Sequence, residues 1–183
     1  MQKIENLLKQ DFTAESPNKK WLSDITEVAT SEGKLYVSPV LDCFDGQIVG
    51  TNMQKELCIN AFKQACMSQN AYGMIFHSDR GSQYTSHKFR DTLAYYGAVQ
   101  SMSGTGRCYD NARMESFFAT LKKEKLYKIK TELLPIETVK SIIFRFIFLY
   151  YNRKRVYSTN EGGYPPEIKR LMYGNQLRGG LAA

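Results

Sequence analysis

The chain has 183 residues, of which 43% are hydrophobic and 23% are charged. This composition is typical of one well-buried globular domain and unlike that of a disordered chain. The most apolar stretch, residues 142–151, is short and contains Arg145, which excludes a membrane span. The first residues lack the apolar run of a secretion signal, so we expect a cytoplasmic protein.

Basic residues are concentrated in the second half of the chain. Residues 1–100 contain 10 Lys and Arg and 11 Asp and Glu, whereas residues 101–183 contain 15 and 7. The net charge of +7 therefore arises from one half, which indicates a polyanionic partner, first nucleic acid and second an anionic membrane surface. A solvated basic surface without a partner is the alternative.

The predicted elements begin after a polar lead-in arm, residues 1–20. Three β-rich runs follow, and the turn dipeptide Asp45-Gly46 separates the last two. The runs are residues 21–29, 35–44 and 47–53. Together they predict a three-stranded antiparallel meander.

The hydrophobic period then changes to that of helices alternating with short strands. Residues 56–69 predict an amphipathic helix, residues 74–77 a short buried strand, and residues 98–102 another strand after a second helix that ends at Gly97. None of the cysteines is spaced as a zinc ligand. We expect reduced thiols without a disulfide at Cys43, Cys58, Cys66 and Cys108.

Two further helices and a tail complete the chain. A glycine-bearing loop, residues 103–110, leads into a long helix, and the last helix begins at Pro135. The apolar face of the long helix consists of Met114, Phe117, Phe118 and Leu121. The face of the last helix consists of Ile136, Val139, Ile143, Phe146, Ile147 and Tyr150. Residues 153–183 are predicted to form a basic, Gly- and Pro-rich tail.

The order of these elements, β-β-β-α-β-α-β-α-α, predicts an α/β fold. Three antiparallel strands followed by alternating helices and strands give a mixed five-stranded sheet with helices on both faces. This is the order of the ribonuclease H-like fold, and we expect residues 21–152 to form its core. Because a fold does not determine a function, particular side chains must carry the functional argument.

Three acidic residues lie where this fold would bring them together. Asp24 lies in the middle of the first predicted strand, where a charge is costly to bury unless it is paired or bound to a metal. Asp79 directly follows the strand at residues 74–77, at the edge where open α/β sheets bind ligands. Glu115 lies one turn into the long helix.

The chemistry of these residues suits divalent ions. Gathered carboxylates repel one another unless cations neutralise them, and their oxygens are hard ligands suited to Mg²⁺ or Mn²⁺. Two such ions can activate an attacking oxygen and stabilise a leaving one. Lys122 follows Glu115 by two helical turns on the same stripe, so both side chains can address one phosphodiester.

Five short motifs surround these residues. They are Ser23-Asp24-Ile25-Thr26, Val40-Leu41-Asp42, His77-Ser78-Asp79-Arg80-Gly81-Ser82-Gln83-Tyr84, Cys108-Tyr109-Asp110-Asn111-Ala112 and Met114-Glu115-Ser116-Phe117-Phe118. In this order they resemble the catalytic core of bacterial insertion-sequence transposases, members of the DDE superfamily with a retroviral-integrase-type fold. The resemblance covers roughly residues 11–170.

The resemblance implies an enzyme that nicks DNA at the ends of an element and uses the freed 3′-hydroxyl to attack another phosphodiester. Asp24, Asp79 and Glu115 would be its catalytic triad and the ligands of two Mg²⁺ ions, for which Mn²⁺ can substitute. Lys122 would contact the terminal DNA. The same resemblance implies double-stranded DNA as partner, a homo-oligomer on that DNA and a location at the bacterial nucleoid.

Further basic residues are candidate DNA contacts. One follows Asp79 directly, and the others continue the long helix after Lys122 or follow the last helix beside tyrosines. They are Arg80, Lys123, Lys125, Arg153, Lys154 and Arg155. A solvated surface, or for Arg80 the bracing of a loop, is the alternative.

The sequence departs from the family pattern in its tail and at its start. Tyr157 stands near the place of a histidine, Glu161-Gly162-Gly163-Tyr164 replaces a Leu-Gly-Tyr context, and Pro165-Pro166 replaces Ser-Pro. A helix-turn-helix that recognises element ends is absent from the sequence. We expect that module in a separate product, an upstream frame or a longer chain.

Two other functions stay open, as do structural roles for several motif residues. The chain is alternatively a ribonuclease H-like nuclease that hydrolyses without joining, or a non-catalytic DNA-binding remnant of a transposase. Asp42 is either a neighbour of the catalytic site or a structural partner. His77 is expected to be packed, and Asp110 and Asn111 are expected to cap the helix of Glu115.

Overall fold

The computed structural model describes residues 4–54, 56–104 and 108–180. Within these ranges six strands form one sheet: β1 (Lys20–Ser23), β2 (Thr26–Thr30), β3 (Gly33–Asp42), β4 (Ile48–Asn52), β5 (Ile75–Ser78) and β6 (Val99–Met102). The helices are α1 (Leu57–Ser68), α2 (Ser82–Thr85), α3 (His87–Tyr95), α4 (Ala112–Glu124), α5 (Ile136–Arg145) and α6 (Pro166–Gly180). A π-helical turn, Phe146–Tyr151, continues α5.

The topology of the sheet confirms the predicted ribonuclease H-like arrangement. The strand order is β2-β3-β1-β5-β6, and β4 also pairs with β3. The pairs among β1 to β4 are antiparallel, whereas β5 is parallel to β1 and β6 is parallel to β5. β1 and β2 pair in succession with the two halves of β3, so they form one interrupted strand of a mixed five-stranded sheet.

The interruption lies at Asp24, and the prediction that this residue lies inside a strand is wrong. β1 ends at Ser23 and β2 begins at Thr26 on the same partner strand. The register brings Pro39 opposite Asp24, and proline has no N–H to donate to the ladder. The Asp24 carboxylate accepts the N–H of Ile25 at 2.7 Å instead. Asp24 therefore lies just beyond the carboxyl end of β1.

Apolar side chains form one core cluster on each face of the sheet. Trp21 belongs to one cluster and Leu22 to the other, because successive strand residues point to opposite faces. α1 and α3 cover the face of Trp21 with Phe62 and Phe89. α4, α5 and the π-helical turn cover the other face, where Phe117 is buried. Helices thus lie on both faces, as predicted.

The π-helical turn shifts the apolar stripe of the last helix by one residue. Val139, Ile143 and Ile147 are buried as predicted, but Tyr150 is 42% exposed and Tyr151 is 2% exposed. A π turn inserts one extra residue into the helix, so the residue after the expected one turns inward. The prediction that Tyr150 lies on the buried face is therefore wrong.

The segment predicted to be a basic tail contains α6 and packs against the turn between β3 and β4. Arg170 donates to Asp45 and to Asp42, in each case at 2.6 Å, and both carboxylates are fully buried. The amino group of Lys169 lies 4.4 Å from the centre of the Phe44 ring. The sequence pattern predicts no helix here, yet these residues form part of the packed structure.

Tyr157, which departs from the family pattern, packs over the turn at Asp45-Gly46. Its ring lies 6.3 Å from that of Tyr151. Gly46 has a φ of +80°, and a Cβ at this position would collide with the Tyr157 ring. The turn therefore requires glycine both for its left-handed backbone and for the close approach of the ring.

The lead-in arm packs along β6. Leu8 is buried, the N–H of Met102 donates to the carbonyl of Glu5 at 3.1 Å, and the N–H of Leu7 donates to Ser101 Oγ at 2.9 Å. These contacts attach the arm to the edge of the sheet next to the loop that precedes α4.

The cysteines are free wherever the structure describes their side chains. Cys43, Cys58 and Cys66 are free thiols, as predicted, whereas the side chain of Cys108 and residues 105–107 of the predicted loop lie outside the described residues. In the described part of the chain no helix combines the length and apolar character needed to cross a membrane.

Candidate active site

The carboxyl ends of β1 and β5 lie side by side and carry two of the predicted catalytic residues. The strands are parallel neighbours, with Leu22 paired with His77. Asp24 and Asp79 each follow that pair by two residues, so the register brings them to the same level. Neighbouring strands lie about 4.8 Å apart, which puts both carboxylates at one edge of the sheet.

Asp24 is partly buried and titrates above its ordinary range. Burial is the largest cause, and together with the charges of Asp79 and Glu115 it raises the pKa of Asp24 from 3.8 to about 6. Hydrogen bonds from Ile25 and Asn111 stabilise the charged form and oppose this shift. The repulsion between the three carboxylates indicates that the fold brings them together; Asp24, Asp79 and Glu115 are called the acidic triad below.

Asp79 is held by the turn that follows β5. Its Oδ1 atom accepts the N–H of Gly81 at 3.0 Å. A Cβ on Gly81 would lie 3.1 Å from the same oxygen, closer than most such contacts, so glycine allows the backbone to approach the carboxylate. α2 begins directly after this glycine.

Glu115 lies in the first turn of α4 and is exposed. The side-chain amide of Asn111 donates to the carbonyl of Ser23 at 3.4 Å, which ties the beginning of α4 to the end of β1. Asn111 stands at the N-cap position, but its side chain makes no capping hydrogen bond, so the predicted cap is wrong. Asp110 accepts the N–H of Gly104 at 2.8 Å.

The acidic triad has no internal counter-ion in the described ranges, because none of its members forms a salt bridge there. As the described side chains stand, no group of three His, Cys, Asp or Glu meets the geometry for holding a metal ion. The triad is thus a concentration of oxygen donors and negative charge that is partly open to solvent.

Two other motif residues lie away from the triad or inside the core. Asp42 lies at the opposite end of β1 from Asp24. This position favours a structural role for Asp42 over a role beside the catalytic site. His77 is fully buried, and its ring nitrogens lie 2.8 Å from Ser101 Oγ and 3.1 Å from Ser103 Oγ. Burial lowers the pKa of His77. The packed role predicted for this histidine is confirmed.

Arg80 is engaged by backbone groups on two segments. Its Nε atom donates to the carbonyl of Ser103 at 2.8 Å, and one terminal nitrogen donates to the carbonyl of Ile4 at 2.9 Å. The guanidinium therefore connects the lead-in arm to the loop after β6. This is the structural role that was the alternative to DNA contact for Arg80.

Two of the three predicted DNA contacts after the last helix form salt bridges within the protein. Arg153 pairs with Glu167 and Arg155 pairs with Glu124, each at 2.8 Å. Lys154 is exposed and makes no salt bridge with a described carboxylate. Some of the N–H donors of the two arginines are thus already bonded to carboxylates of the protein.

The predicted DNA contacts on the long helix have no acidic partner among the described residues. Lys122 and Lys123 lie in the last turn of α4, and Lys125 ends the helix. Lys122 shares a stripe with Glu115, as predicted from the spacing of seven residues. The triad is therefore followed along α4 by lysines that form no salt bridge with a described residue.

The end of α4 borders a cleft of about 560 Å³, called the basic cleft below. It is lined by Glu124, Lys125, Lys128, Ile142, Arg145, Phe146 and Tyr150. Arg145 was not among the predicted functional residues, although this cation interrupts the most apolar stretch of the chain. That interruption was the available signal for an exposed charge among the apolar residues of the helix.

The sequence has clear relatives. Residues 14–108 match the family described as integrase core domain. The chain is 42% identical over 170 residues to the transposase for insertion sequence element IS904 of Lactococcus lactis subsp. lactis, covering 90% of this chain and 66% of that protein. It is 39% identical over 162 residues to an uncharacterized transposase-like protein of Haemophilus influenzae, covering 86% and 74%.

Solved structures share the fold at low sequence identity. A chain of the simian T-cell lymphotropic virus intasome superposes with a TM-score of 0.63 at 17% identity, covering 85% of this chain and 54% of that one. The HTLV-2 integrase catalytic core domain, solved in complex with magnesium, gives 0.56 at 18% identity, covering 84% and 96%. These neighbours establish the ribonuclease H-like fold of integrase cores.

The fold and the acidic edge of its sheet define an integrase-type catalytic core. With the relatives above, they show that the chain belongs to the family of insertion-sequence transposases with an integrase core. The chain spans 66% of the length of the Lactococcus transposase and 57% of that of a Shigella sonnei insertion element IS600 protein, to which it is 42% identical over 160 residues, or 84% of this chain.

Proposed function

We propose that this chain is the catalytic core of a DDE transposase, which cleaves DNA strands and joins them with the help of divalent ions. The observation that carries the proposal is the convergence of the acidic triad at one sheet edge without an internal cation among the described residues. Since burial, together with the charges of Asp79 and Glu115, raises the pKa of Asp24, a cation from solution would stabilise the ionised carboxylates.

Two Mg²⁺ ions are the proposed cofactor, with Mn²⁺ as a substitute. The donor set fits them, because all three side chains offer hard carboxylate oxygens at an edge that is partly open to solvent. The HTLV-2 integrase core, which shares the fold, was solved with magnesium. When bound, the ions would activate the attacking oxygen and stabilise the leaving oxygen of a phosphodiester.

The proposed roles follow from the elements that carry the triad. Asp24 and Asp79 would hold the ions just beyond the ends of two hydrogen-bonded strands, whose register brings them to the same level. Glu115 completes the ligand set from α4, whose beginning is tied to β1 through Asn111. Water as the nucleophile gives a nick and a 3′-hydroxyl gives strand transfer, so no covalent protein–DNA intermediate is needed.

We propose that the DNA backbone follows α4 from Glu115 towards the end of the helix. Lys122 lies two turns, or about 10 Å, beyond Glu115. Lys122, Lys123 and Lys125 form no salt bridge with a described residue, which leaves their amino groups available for phosphates. The basic cleft would extend this track beyond the helix.

Arg80, Arg153, Lys154 and Arg155 are proposed as secondary DNA contacts. The three arginines already bind protein groups, so only part of the five N–H donors of each guanidinium remains for phosphates. Lys154 is exposed and adds a single point charge next to them. We therefore expect these residues to contribute less to DNA affinity than the lysines of α4.

The proposed partner is double-stranded DNA, both the ends of an element and its target. Because two ends must be held at once, we propose that the chain acts as a homo-oligomer on DNA, at the nucleoid of a bacterial cytoplasm. Recognition of the ends is assigned to a helix-turn-helix module, either separate or upstream. The basic second half of the chain supports the choice of DNA over other partners.

The test is a cleavage assay on candidate end DNA with Mg²⁺ or Mn²⁺. Asp79→Asn should reduce the nicking rate on the order of 10³-fold or more. The variant should still unfold in one cooperative transition, which shows that it is folded. Asp91→Asn, the same change at an exposed position of α3, is the matched control and should nick like the wild type. Nicking by Asp79→Asn at the wild-type rate would refute the assignment.

A second substrate separates the alternatives. With a DNA end that already carries a free 3′-hydroxyl, a transposase core yields joined product, whereas a ribonuclease H-like nuclease yields nicks alone. A non-catalytic remnant yields neither and binds DNA equally well with and without divalent ions. Joined product that depends on Asp79 is the outcome expected here.

A further inference from the structure

A buried cluster of hydroxyl groups lies next to the candidate active site. It consists of Ser23, Ser38 and Tyr84 and is called the hydroxyl cluster below. Tyr84 Oη lies 2.8 Å from Ser23 Oγ and 3.4 Å from Ser38 Oγ. All three residues are at most 1% exposed. Neither ion binding nor DNA contact, as proposed above, uses any of them directly.

The carbonyl of Pro39 can only accept, which determines the direction of the hydrogen bonds between Tyr84, Ser23 and Pro39. Ser23 Oγ donates its single proton to the carbonyl of Pro39 at 2.8 Å. Towards Tyr84 it therefore acts as acceptor, and the Tyr84 hydroxyl is the donor. The Tyr84 oxygen can then accept from Ser38. The result is a chain of hydrogen bonds that runs from Tyr84 through Ser23 to the carbonyl of Pro39.

This chain of hydrogen bonds lies at the break in the first strand. Asp24 and Ile25 make no ladder pairs with β3, because the proline opposite Asp24 has no N–H. Regular pairing therefore stops at Ser23, one residue before a member of the acidic triad. The bonds from Tyr84 to Ser23 and from Ser23 to the carbonyl of Pro39 hold the strand end where the ladder cannot.

Tyr84 is itself held rigidly. Its ring packs against Phe76 and Phe89, with ring centroids 6.3 Å and 5.4 Å away. Its carbonyl accepts the side-chain amide of Gln100 at 2.8 Å. Tyr84 lies in α2, which begins just after the turn that orients Asp79. One side chain therefore joins the end of β1 to the segment that carries the second aspartate.

We propose that Tyr84 is a positioning residue of the active site, which acts through Ser23 to fix the place of Asp24 relative to Asp79. The inference rests on the proposed function. Ser23 points into the hydroxyl cluster, so the next side chain, Asp24, points to the opposite face of the extended segment. Loss of the Tyr84 hydroxyl frees the end of β1 and weakens ion binding, although no ligand is removed.

The test is the Mn²⁺ affinity of the chain carrying Tyr84→Phe, measured by titration calorimetry, with nicking followed at increasing Mn²⁺. Mn²⁺ should bind on the order of tenfold more weakly than to the wild type, as for other residues that orient ligands. Nicking should need correspondingly more Mn²⁺, with a rate at saturation close to that of the wild type. Because calorimetry needs no DNA, failure of the inference and failure of the proposed DNA cleavage are distinguishable.

Tyr151→Phe is the matched control. Tyr151 is 2% exposed, and its hydroxyl bonds to Tyr157 in the other core cluster. Each substitution removes one buried hydroxyl, so both should lower the free energy of unfolding in urea by similar amounts. The Mn²⁺ affinity should change in Tyr84→Phe alone. Equal Mn²⁺ affinities in the two variants would overturn the proposal.

A double-mutant cycle identifies the route of the effect. Ser23→Ala removes the acceptor, so combining it with Tyr84→Phe should weaken Mn²⁺ binding no further than the stronger single change. Ser23→Thr keeps a hydroxyl and should bind Mn²⁺ like the wild type. Losses that add in the double variant would contradict a coupling through Ser23.

Discussion

Two groups of carboxylates lie at opposite ends of β1 and differ in how their charge is neutralised. Asp42 and Asp45 are fully buried and share the guanidinium of Arg170, each with an N···O distance of 2.6 Å; these three residues are called the Arg170 cluster. The acidic triad lies at the other end, where none of the described residues supplies a cation to it.

The comparison separates structural carboxylates from those that remain available for a ligand. In the Arg170 cluster one guanidinium already pairs with both carboxylates inside the protein, so an added cation would have to displace an arginine. In the acidic triad no described cation offsets the negative charge, and burial together with the charges of Asp79 and Glu115 raises the pKa of Asp24. A strained group of charges at the ends of adjacent parallel strands is characteristic of a functional site.

The largest effect on stability is expected in the Arg170 cluster. Arg170→Ala should lower the free energy of unfolding by about 3–5 kcal/mol, because it leaves two buried carboxylates without their counter-ion. Urea denaturation measures this loss. Arg153→Ala is the control, since it breaks the exposed pair with Glu167 and should cost at most about 1 kcal/mol. Equal losses of unfolding free energy in the two variants would contradict the expected difference between buried and exposed ion pairs.

The acidic triad should respond in the opposite direction. Because the pKa of Asp24 is raised to about 6, its contribution to stability is fully present below pH 3.8 and is lost as the pH rises through about 6. Above that pH the ionised carboxylate destabilises the metal-free fold. Asp24→Asn should therefore be more stable than the wild type at pH 8, by up to about 3 kcal/mol.

Urea denaturation in the presence of a chelator at pH 4 and pH 8 checks this prediction. The advantage of Asp24→Asn should nearly vanish at pH 4, where Asp24 of the wild type is protonated. Asp91→Asn, at an exposed position, should show no such dependence on pH. A variant that is less stable than the wild type at pH 8 would contradict the unfavourable ionisation of Asp24 in the metal-free fold.

The smallest effect concerns cations with and without an internal partner. Lys122→Ala should reduce the magnitude of the slope of the logarithm of the DNA-binding constant against the logarithm of the salt concentration by about 0.9, the value for one phosphate contact. Arg153→Ala should change the slope less, because its guanidinium is engaged by Glu167. DNA titrations at several salt concentrations measure both. The same slope in both variants would contradict the expected difference between a cation without a salt bridge and one that is paired with Glu167.

Much of the fold follows from short-range patterns in the sequence. The change from strand-like runs to helical spacing predicts the order of elements, and the apolar faces of α1 and α4 are those expected. The positions of Asp79 and Glu115 are predictable for the same reason, since Asp79 follows a short strand and Glu115 lies in the first turn of a long helix. Both features depend on neighbours within a few turns of the chain.

The remaining features depend on contacts that the local pattern does not contain. The break at Asp24 arises from Pro39 on the neighbouring strand. The pairing of Arg170 with Asp42 joins residues 128 positions apart, so the basic segment after the last predicted helix gives no local sign of packing.

Broadening of amide NMR signals by Mn²⁺ tests most directly whether the acidic triad, and not the Arg170 cluster, binds divalent ions. At substoichiometric Mn²⁺ the amide signals of Ile25, Gly81 and Ser116 should broaden first, while those of Cys43 and Gly46 persist. Broadening that begins at Cys43 and Gly46, or that leaves Ile25 and Gly81 sharp, would contradict the account.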